Sequence, residues 1–232
     1  MTPARLDPPS LLTHFWLPSL ALLPLSAWLM AGGGDQRLAD ALYLAQGGQW
    51  RWQDAWLTEH LIHRGGRWAS VIGGLFVILA AVRAWRRHSA WRWPLATLAA
   101  SIALSTTLIS RLKAWTRVDC PWDLARYGGD RPLLGLFEAR NAAEASGCFP
   151  AGHASAGYAW LALYFFARRT RPAWRWPGLA LGLAAGLLFG LCQQLRGAHF
   201  LSHDLWALAL CWSVPLCLFR WMPQAAGARG GA

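Results

Sequence analysis

Six apolar stretches, near residues 15–32, 68–85, 95–112, 152–167, 177–195 and 204–222, constrain this chain more than any other feature. Crossing about 30 Å of hydrocarbon takes about 20 helical residues, and all six are long enough or nearly so. The expected fold is therefore all-α, a six-transmembrane-helix bundle over 15–222 with tails at 1–14 and 223–232. The first stretch does not read as a signal peptide, because Arg5 is the one Lys or Arg of an n-region and no obvious cleavage context follows Ala31-Gly32-Gly33. It is expected to be a retained helix. The fourth stretch is the shortest and starts with polar residues, which places its start against protein or a water-filled cavity.

Hydrophobic residues make up 55% of the 232 and charged residues 14%, against roughly 25% charged in soluble domains. These values exclude a disordered chain, a disulfide-stapled mini-protein and a typical cytosolic enzyme. The net charge of +11 alone would point to nucleic acid. In so apolar a chain, Arg clusters instead mark cytoplasmic loops or sites for anionic lipid, and no nucleic-acid partner is expected.

Arg83, Arg86, Arg87 and Arg92 crowd the link between spans two and three, and Arg168, Arg169, Arg171 and Arg175 the link between spans four and five. Neither link holds an acidic residue. The positive-inside rule makes both cytoplasmic, with both termini, and puts 33–67 and 113–151 outside. Trp52, Trp56, Trp68, Trp85, Trp91, Trp93, Trp174 and Trp176 fall at span ends, where indoles anchor at headgroup level. In the first exported segment Trp52, Trp56, Leu57 and Leu61 share one face of an expected interfacial helix. That helix also carries Glu59, His60 and His63. Histidines at this spacing can bind metal, but exposed polar residues on a surface helix are the simpler reading, and no metal site is assigned.

The topology brings four span ends to the outer face. They carry Lys113, Arg117 and Asp119; Cys148 to His153; Arg196 to His199; and His203-Asp204. Cations neutralise phosphoryl oxygens and a helix start offers free N–H groups to an anion. Histidine supplies a nucleophile or proton donor near neutral pH. Together they make the inventory of a phosphate-handling site.

The order of these motifs resembles the type 2 phosphatidic acid phosphatase family, which shares its core with the vanadium haloperoxidases. Its first block is Lys, six residues, Arg-Pro; here Lys113 is followed after six residues by Cys120-Pro121. Its second, Pro-Ser-Gly-His, is matched by Pro150-Ala151-Gly152-His153. Its third, Ser-Arg, five residues, His, three residues, Asp, is matched loosely by Arg196, His199 and Asp204, with a shorter first gap and a second gap one longer. The resemblance covers about 113–204. It implies His199 as a nucleophile forming a phosphohistidine, Asp204 as its orienting carboxylate, and His153 as the general acid. It implies Lys113, Arg196 and the Gly152 N–H as phosphate ligands, with no metal and no cofactor. Arg117, one turn after Lys113, is the first candidate to replace the missing clamp Arg, with Arg126 and Arg131 (in Arg131-Pro132) behind it. Ser155 is the candidate to cover the missing Ser. His203 is the rival nucleophile, but it has no carboxylate four residues on.

Cys192, Cys211 and Cys217 lie in apolar spans and read as small buried hydrophobes. Cys120 and Cys148 each flank a catalytic block in one exported segment, where an oxidising compartment allows a disulfide between them.

The expected function is a metal-independent membrane phosphatase acting on a lipid phosphomonoester or diphosphate at the periplasmic face of a bacterial inner membrane. Ala- and Arg-rich composition and short loops carry the bacterial reading. A lipid phosphotransferase using the same intermediate, or an inactive scaffold or transporter, are the competing readings. Neither the lipid nor the oligomeric state is set by the sequence.

Overall fold

A computed structural model describes residues 8–136, 138 and 146–223; most of the expected tails lies outside the described residues. The chain is all-α, and its only β pairing among the described residues is an isolated bridge, Leu124 to Arg131. A π-helical turn, Leu12–Trp16, leads into α1, Leu17–Ala31. There follow α2, Gly34–Ala45, a second π-helical segment, Leu57–Gly65, and α3, Gly66–Arg86. The remainder is α4, Arg92–Thr116; α5, Gly152–Tyr158; α6, Ala162–Thr170; α7, Arg175–Leu195; and α8, Leu201–Trp221.

Among the described residues, five helices are long and apolar enough to cross a membrane: Leu12–Ala31, Leu57–Arg86, Arg92–Asp123, Pro172–Leu195 and Leu201–Trp221. The expected fourth span forms α5 and α6, joined by a 3-10 turn at Ala159–Leu161. Its small and polar start makes it less apolar than the other five, and it packs at the centre. Ala154, Ala159, Leu161 and Ala162 are fully buried there. The outer helices show the opposite pattern: on α3, Ile72, Leu75, Phe76 and Leu79 are all at least half exposed. Apolar surface on that scale needs lipid or protein against it.

Span two begins earlier than its hydropathy predicts. Residues 57–65 do not form a separate interfacial helix; they run into α3 without a break, Gly65 and Gly66 keeping right-handed helical dihedrals. The expected apolar face is present, with Trp56, Leu57 and Leu61 exposed. The opposite face therefore looks into the bundle.

Small residues set the central packing. α7 carries Gly178, Gly182, Gly186 and Gly190 at four-residue spacing, on one helix face. A Cβ on Gly186 would lie 2.0 Å from the Tyr158 ring, and one on Gly182 2.6 Å from the Leu161 nitrogen. From the other side, a Cβ on Gly157 would meet the Gly186 nitrogen at 2.4 Å. The backbones of α5 and α7 thus touch, as small-residue helix pairs do in membranes. Gly186→Ala is expected to destabilise the protein by about 1–3 kcal/mol through overpacking. Thermal melting in detergent should show this beside Gly74→Ala, whose Cβ meets nothing within 4 Å.

Candidate active site

Three chain segments meet at one end of the bundle, where α4 and α7 end and α5 starts, held by bonds to the backbone. The Cys148 N–H donates to the Val118 carbonyl at 2.6 Å, and the Trp122 N–H to the Gly197 carbonyl at 2.9 Å. The Ala151 N–H donates to the His203 carbonyl at 3.1 Å, and the Thr116 hydroxyl to the Phe149 carbonyl at 2.5 Å. A disulfide joins Cys120 to Cys148, with Cα atoms 5.3 Å apart.

The turn after α7 explains how His199 is aimed. Gly197 N–H bonds the Gln194 carbonyl and Ala198 N–H the Gln193 carbonyl, the paired closure in which glycine takes the left-handed position. Gly197 has φ 74°, and a Cβ there would strike the Trp50 ring at 2.4 Å. The chain reverses, and His199 returns to the cavity before α8 starts. Asp35 of α2 caps α8, taking the Ser202 N–H at 3.0 Å and its hydroxyl at 2.5 Å. Burial pushes the Asp35 carboxyl up, and the Ser202 bonds oppose it.

A cavity of about 1020 Å³ opens here. His153, His199, Lys113, Arg196, Arg117, Gly152 and Ser155 all line it. Lys113 lies against the start of α5, where a Cβ on Gly152 would sit 3.1 Å from Nζ; only glycine leaves that space free. Among the described residues no carboxylate pairs with Lys113 or Arg117. His199 is 6% exposed. Burial and the neighbouring Lys113 ammonium hold its imidazole well below the ordinary histidine range, so it is neutral at pH 7.

Other expected residues are placed differently. His203 does not line the cavity; its ring packs edge-on against Phe149 and Phe200, at 5.3 and 5.4 Å. Asp204 accepts from the Gln194 amide at 2.5 Å and lies over Gly190. No Asp204–His199 bond is formed. His199 Nδ1 and Asp204 Oδ1 are each buried without a hydrogen-bond partner. The Ser155 hydroxyl donates to the Gly152 carbonyl at 2.6 Å, closing the first turn of α5. Arg126 grips Asp40 at 2.7 and 2.5 Å, and Arg131 pairs with Asp119 and Ser146. Neither lines the cavity, so Arg117 is the first-block candidate that does.

Arg196 is built in more firmly than its motif implies. Its Nε donates to the Gln53 carbonyl at 2.7 Å, Nη1 to Gln193 Oε1 at 3.2 Å, and Nη2 pairs with Glu59. Its guanidinium also lies 5.9 Å from the Trp122 ring centroid. Glu59 holds His63 Nδ1 at 2.9 Å, and His63 lines the cavity with its ring centroid 4.1 Å from that of His153. The sequence pattern puts Glu59, His60 and His63 among the exposed polar residues of a surface helix, whereas the structure turns Glu59 and His63 inward. Their continuity with span two was the missed signal, because it turns them inward. Among the described residues no group of three or more His, Cys, Asp or Glu side chains could hold a metal ion.

A family model, the PAP2 superfamily, matches residues 94–226. The chain belongs to the PAP2 superfamily. No curated protein and no solved structure matches the chain. The PAP2 match takes in Lys113, His153, His199 and Asp204 but stops short of Glu59 and His63. Membership points to phosphatase activity on a phosphate-bearing substrate, and the apolar helices to a multi-pass membrane protein.

The disulfide ties the exit of α4 to the start of α5, so its loss should loosen this PAP2 site first. Alkylating the unfolded protein without reductant should label three cysteines, Cys192, Cys211 and Cys217, and after reduction all five. Replacing Cys120 and Cys148 by Ser should cost about 2–4 kcal/mol of stability, read as a lower melting temperature.

Proposed function

We propose that the protein is an integral membrane lipid phosphatase, hydrolysing a phosphomonoester or diphosphate on a lipid at the periplasmic face of a bacterial inner membrane. The shape of the cavity carries this reading. One end holds the imidazoles, Lys113, Arg117 and Arg196. The other runs down between α3 and α4, lined by Val71, Gly74, Leu75, Ile78, Ala99, Ile102, Ala103 and Thr106. From Lys113 to Ala99 that trough follows about 20 Å of helix. Val71, Leu75 and Ile78 are 43 to 54% exposed while lining it, so the trough is open on its lipid-facing side. A phosphate ester with a hydrocarbon tail matches both ends; a soluble metabolite leaves the trough empty. Counting α5 and α6 as one pass, the chain crosses six times. Both termini and the Arg-rich links are then cytoplasmic by the positive-inside rule.

In this mechanism Lys113, Arg117 and the N–H groups at the start of α5 hold the phosphoryl oxygens, with Arg196 fixed beside them. The neutral His199 imidazole attacks phosphorus, the P–O bond to the lipid breaks, and His153 protonates the leaving oxygen. Water then cleaves the P–N bond and returns a proton to His153. Asp204 is the candidate carboxylate for the phosphohistidine stage, supported by the complementary orphan atoms, Oδ1 on Asp204 and Nδ1 on His199. No step calls for a metal or cofactor.

Purified protein in detergent should release phosphate from at least one member of a panel of lipid phosphates and diphosphates, and His199→Ala should abolish that release. Rapid acid-free quenching with phosphorus-labelled substrate should trap labelled protein in wild type and in His203→Gln, and none in His199→Ala. Labelling that survives His199→Ala but vanishes in His203→Gln would reverse the assignment. The pH dependence has a definite sign. The nucleophile is the neutral form and its pKa is depressed, so protonation silences it only in acid. The acid limb of kcat/KM that belongs to His199 should lie below about pH 6.5, the free imidazole value.

A further inference from the structure

The cavity holds an imidazole that the phosphatase motifs do not include. His63 belongs to the π-helical segment Leu57–Gly65, outside the family match at 94–226. Its Nδ1 is tied to Glu59 Oε2 at 2.9 Å, which leaves Nε2 as the free ring nitrogen. Its ring lies against His153, with centroids 4.1 Å apart and planes tilted by 57°. His153 Nε2 is buried and has no hydrogen-bond partner, a cost tolerated where a partner arrives during the reaction.

Charge separates the two histidines. His153 stands in the cavity with Lys113 and Arg196 and has no carboxylate bonded to it among the described residues. His63 also faces cations: Arg196 across the bundle, Arg64 on its own segment, and Arg67 at the start of α3. It alone of the pair has a carboxylate in contact. Glu59 further pairs with Arg64 at 2.8 Å and with Arg196, so its position is fixed from three sides. An imidazolium is therefore better compensated on His63 than on His153, as a carboxylate does for a catalytic histidine. His63 is also the more open of the two, its side chain 33% exposed. A π-helical turn often marks a functional place in a helix, and this one carries both Glu59 and His63.

We propose that the Glu59–His63 pair is a proton relay that keeps His153 supplied during phosphoryl transfer. The inference rests on the phosphatase reading above. In the first half-reaction the P–N bond to His199 forms and the P–O bond to the lipid breaks. His63 starts as the imidazolium; His153 gives its proton to the leaving oxygen and takes one from His63 Nε2–H, which leaves His63 neutral with its remaining proton on Nδ1. In the second half-reaction water attacks phosphorus and the P–N bond breaks; the water proton passes to His153 and back to His63. His63 Nδ1–H stays on Glu59 throughout, and no proton is gained or lost over the cycle. His63 acts through His153 and not on the substrate.

The test compares two leaving groups on the full-length protein in detergent. An alkyl ester, a diacylglycerol phosphate, needs its leaving oxygen protonated; an aryl ester, nitrophenyl phosphate, leaves readily without a proton. His63→Gln should lower kcat on the alkyl ester on the order of 100-fold and on the aryl ester less than about 3-fold. The retained aryl activity also shows that the variant is folded. Added imidazole should restore part of the alkyl activity of His63→Ala. Equal loss on both esters, or no loss on either, overturns the relay and leaves the phosphatase reading intact. Wild-type protein that cleaves neither ester and no member of the lipid phosphate and diphosphate panel overturns both; a panel member that is cleaved takes the alkyl ester's place in the comparison. A second readout needs no turnover: with nitrogen-labelled histidine, the titration of His63 should move when His153 is changed to Gln and when Glu59 is changed to Gln. A His63 titration indifferent to His153→Gln overturns the relay.

Discussion

The site depends on the absence of side chains between α5 and α7. Gly157 and Gly186 let the two backbones touch, and Gly182 accepts the Leu161 backbone one turn away. Glycine in a helix interior costs roughly 1 kcal/mol per residue relative to Ala, and α7 bears that cost at four successive turns of one face. What the contact sets is the separation of His153, at the head of α5, from Gln193, Arg196 and His199 at the end of α7. A wider crossing would move His153 away from His199 across the cavity that both line. Gly190 continues the same stripe and receives the Asp204 carboxylate, so packing and site are built from one row of glycines.

Charge is the second constraint. Cations at the edge of hydrocarbon are expensive unless paired or hydrated. The cavity contains both solutions. Arg196 is neutralised by Glu59 and held by Gln53 and Gln193, which makes it a rigid part of the wall. Lys113 and Arg117 have no carboxylate among the described residues and face the cavity, the arrangement expected of groups whose counter-charge is the ligand. The depressed His199 pKa follows from the same design: burial disfavours the charged imidazole first, and Lys113 beside it adds to the effect.

Much of this could be read from residues alone, and the failures have physical causes. Span positions follow from hydropathy, because lipid demands continuous apolar surface. That Lys113, Gly152, His153 and His199 would meet in one cavity was legible because each sits at a span end that the alternation of spans brings to the same side. The cysteine pair was legible for the same reason. Arg131-Pro132 looked like a displaced clamp, yet Asp119, twelve residues earlier, takes it; nothing local distinguishes the two. Glu59 and His63 were invisible as site residues for a different reason. The apolar face of Trp56, Leu57 and Leu61 was identified correctly, but the segment was separated from span two. Only continuity with α3 tells which way the opposite face turns, and the partners Arg196 and His153 lie some 90 to 140 residues away in sequence.

Under the proposed lipid-phosphatase function, the trough between α3 and α4 is a side door to the cavity. A lipid can present its headgroup while its tail never leaves the leaflet, so no hydrocarbon has to be lifted into water. In that function the dephosphorylated lipid would slip back the same way, and inorganic phosphate would leave from the end of the cavity that holds Lys113 and Arg117. Turnover in such a site answers to the two-dimensional abundance of substrate in the leaflet, diluted by the surrounding lipids, and not to its concentration in the aqueous phase.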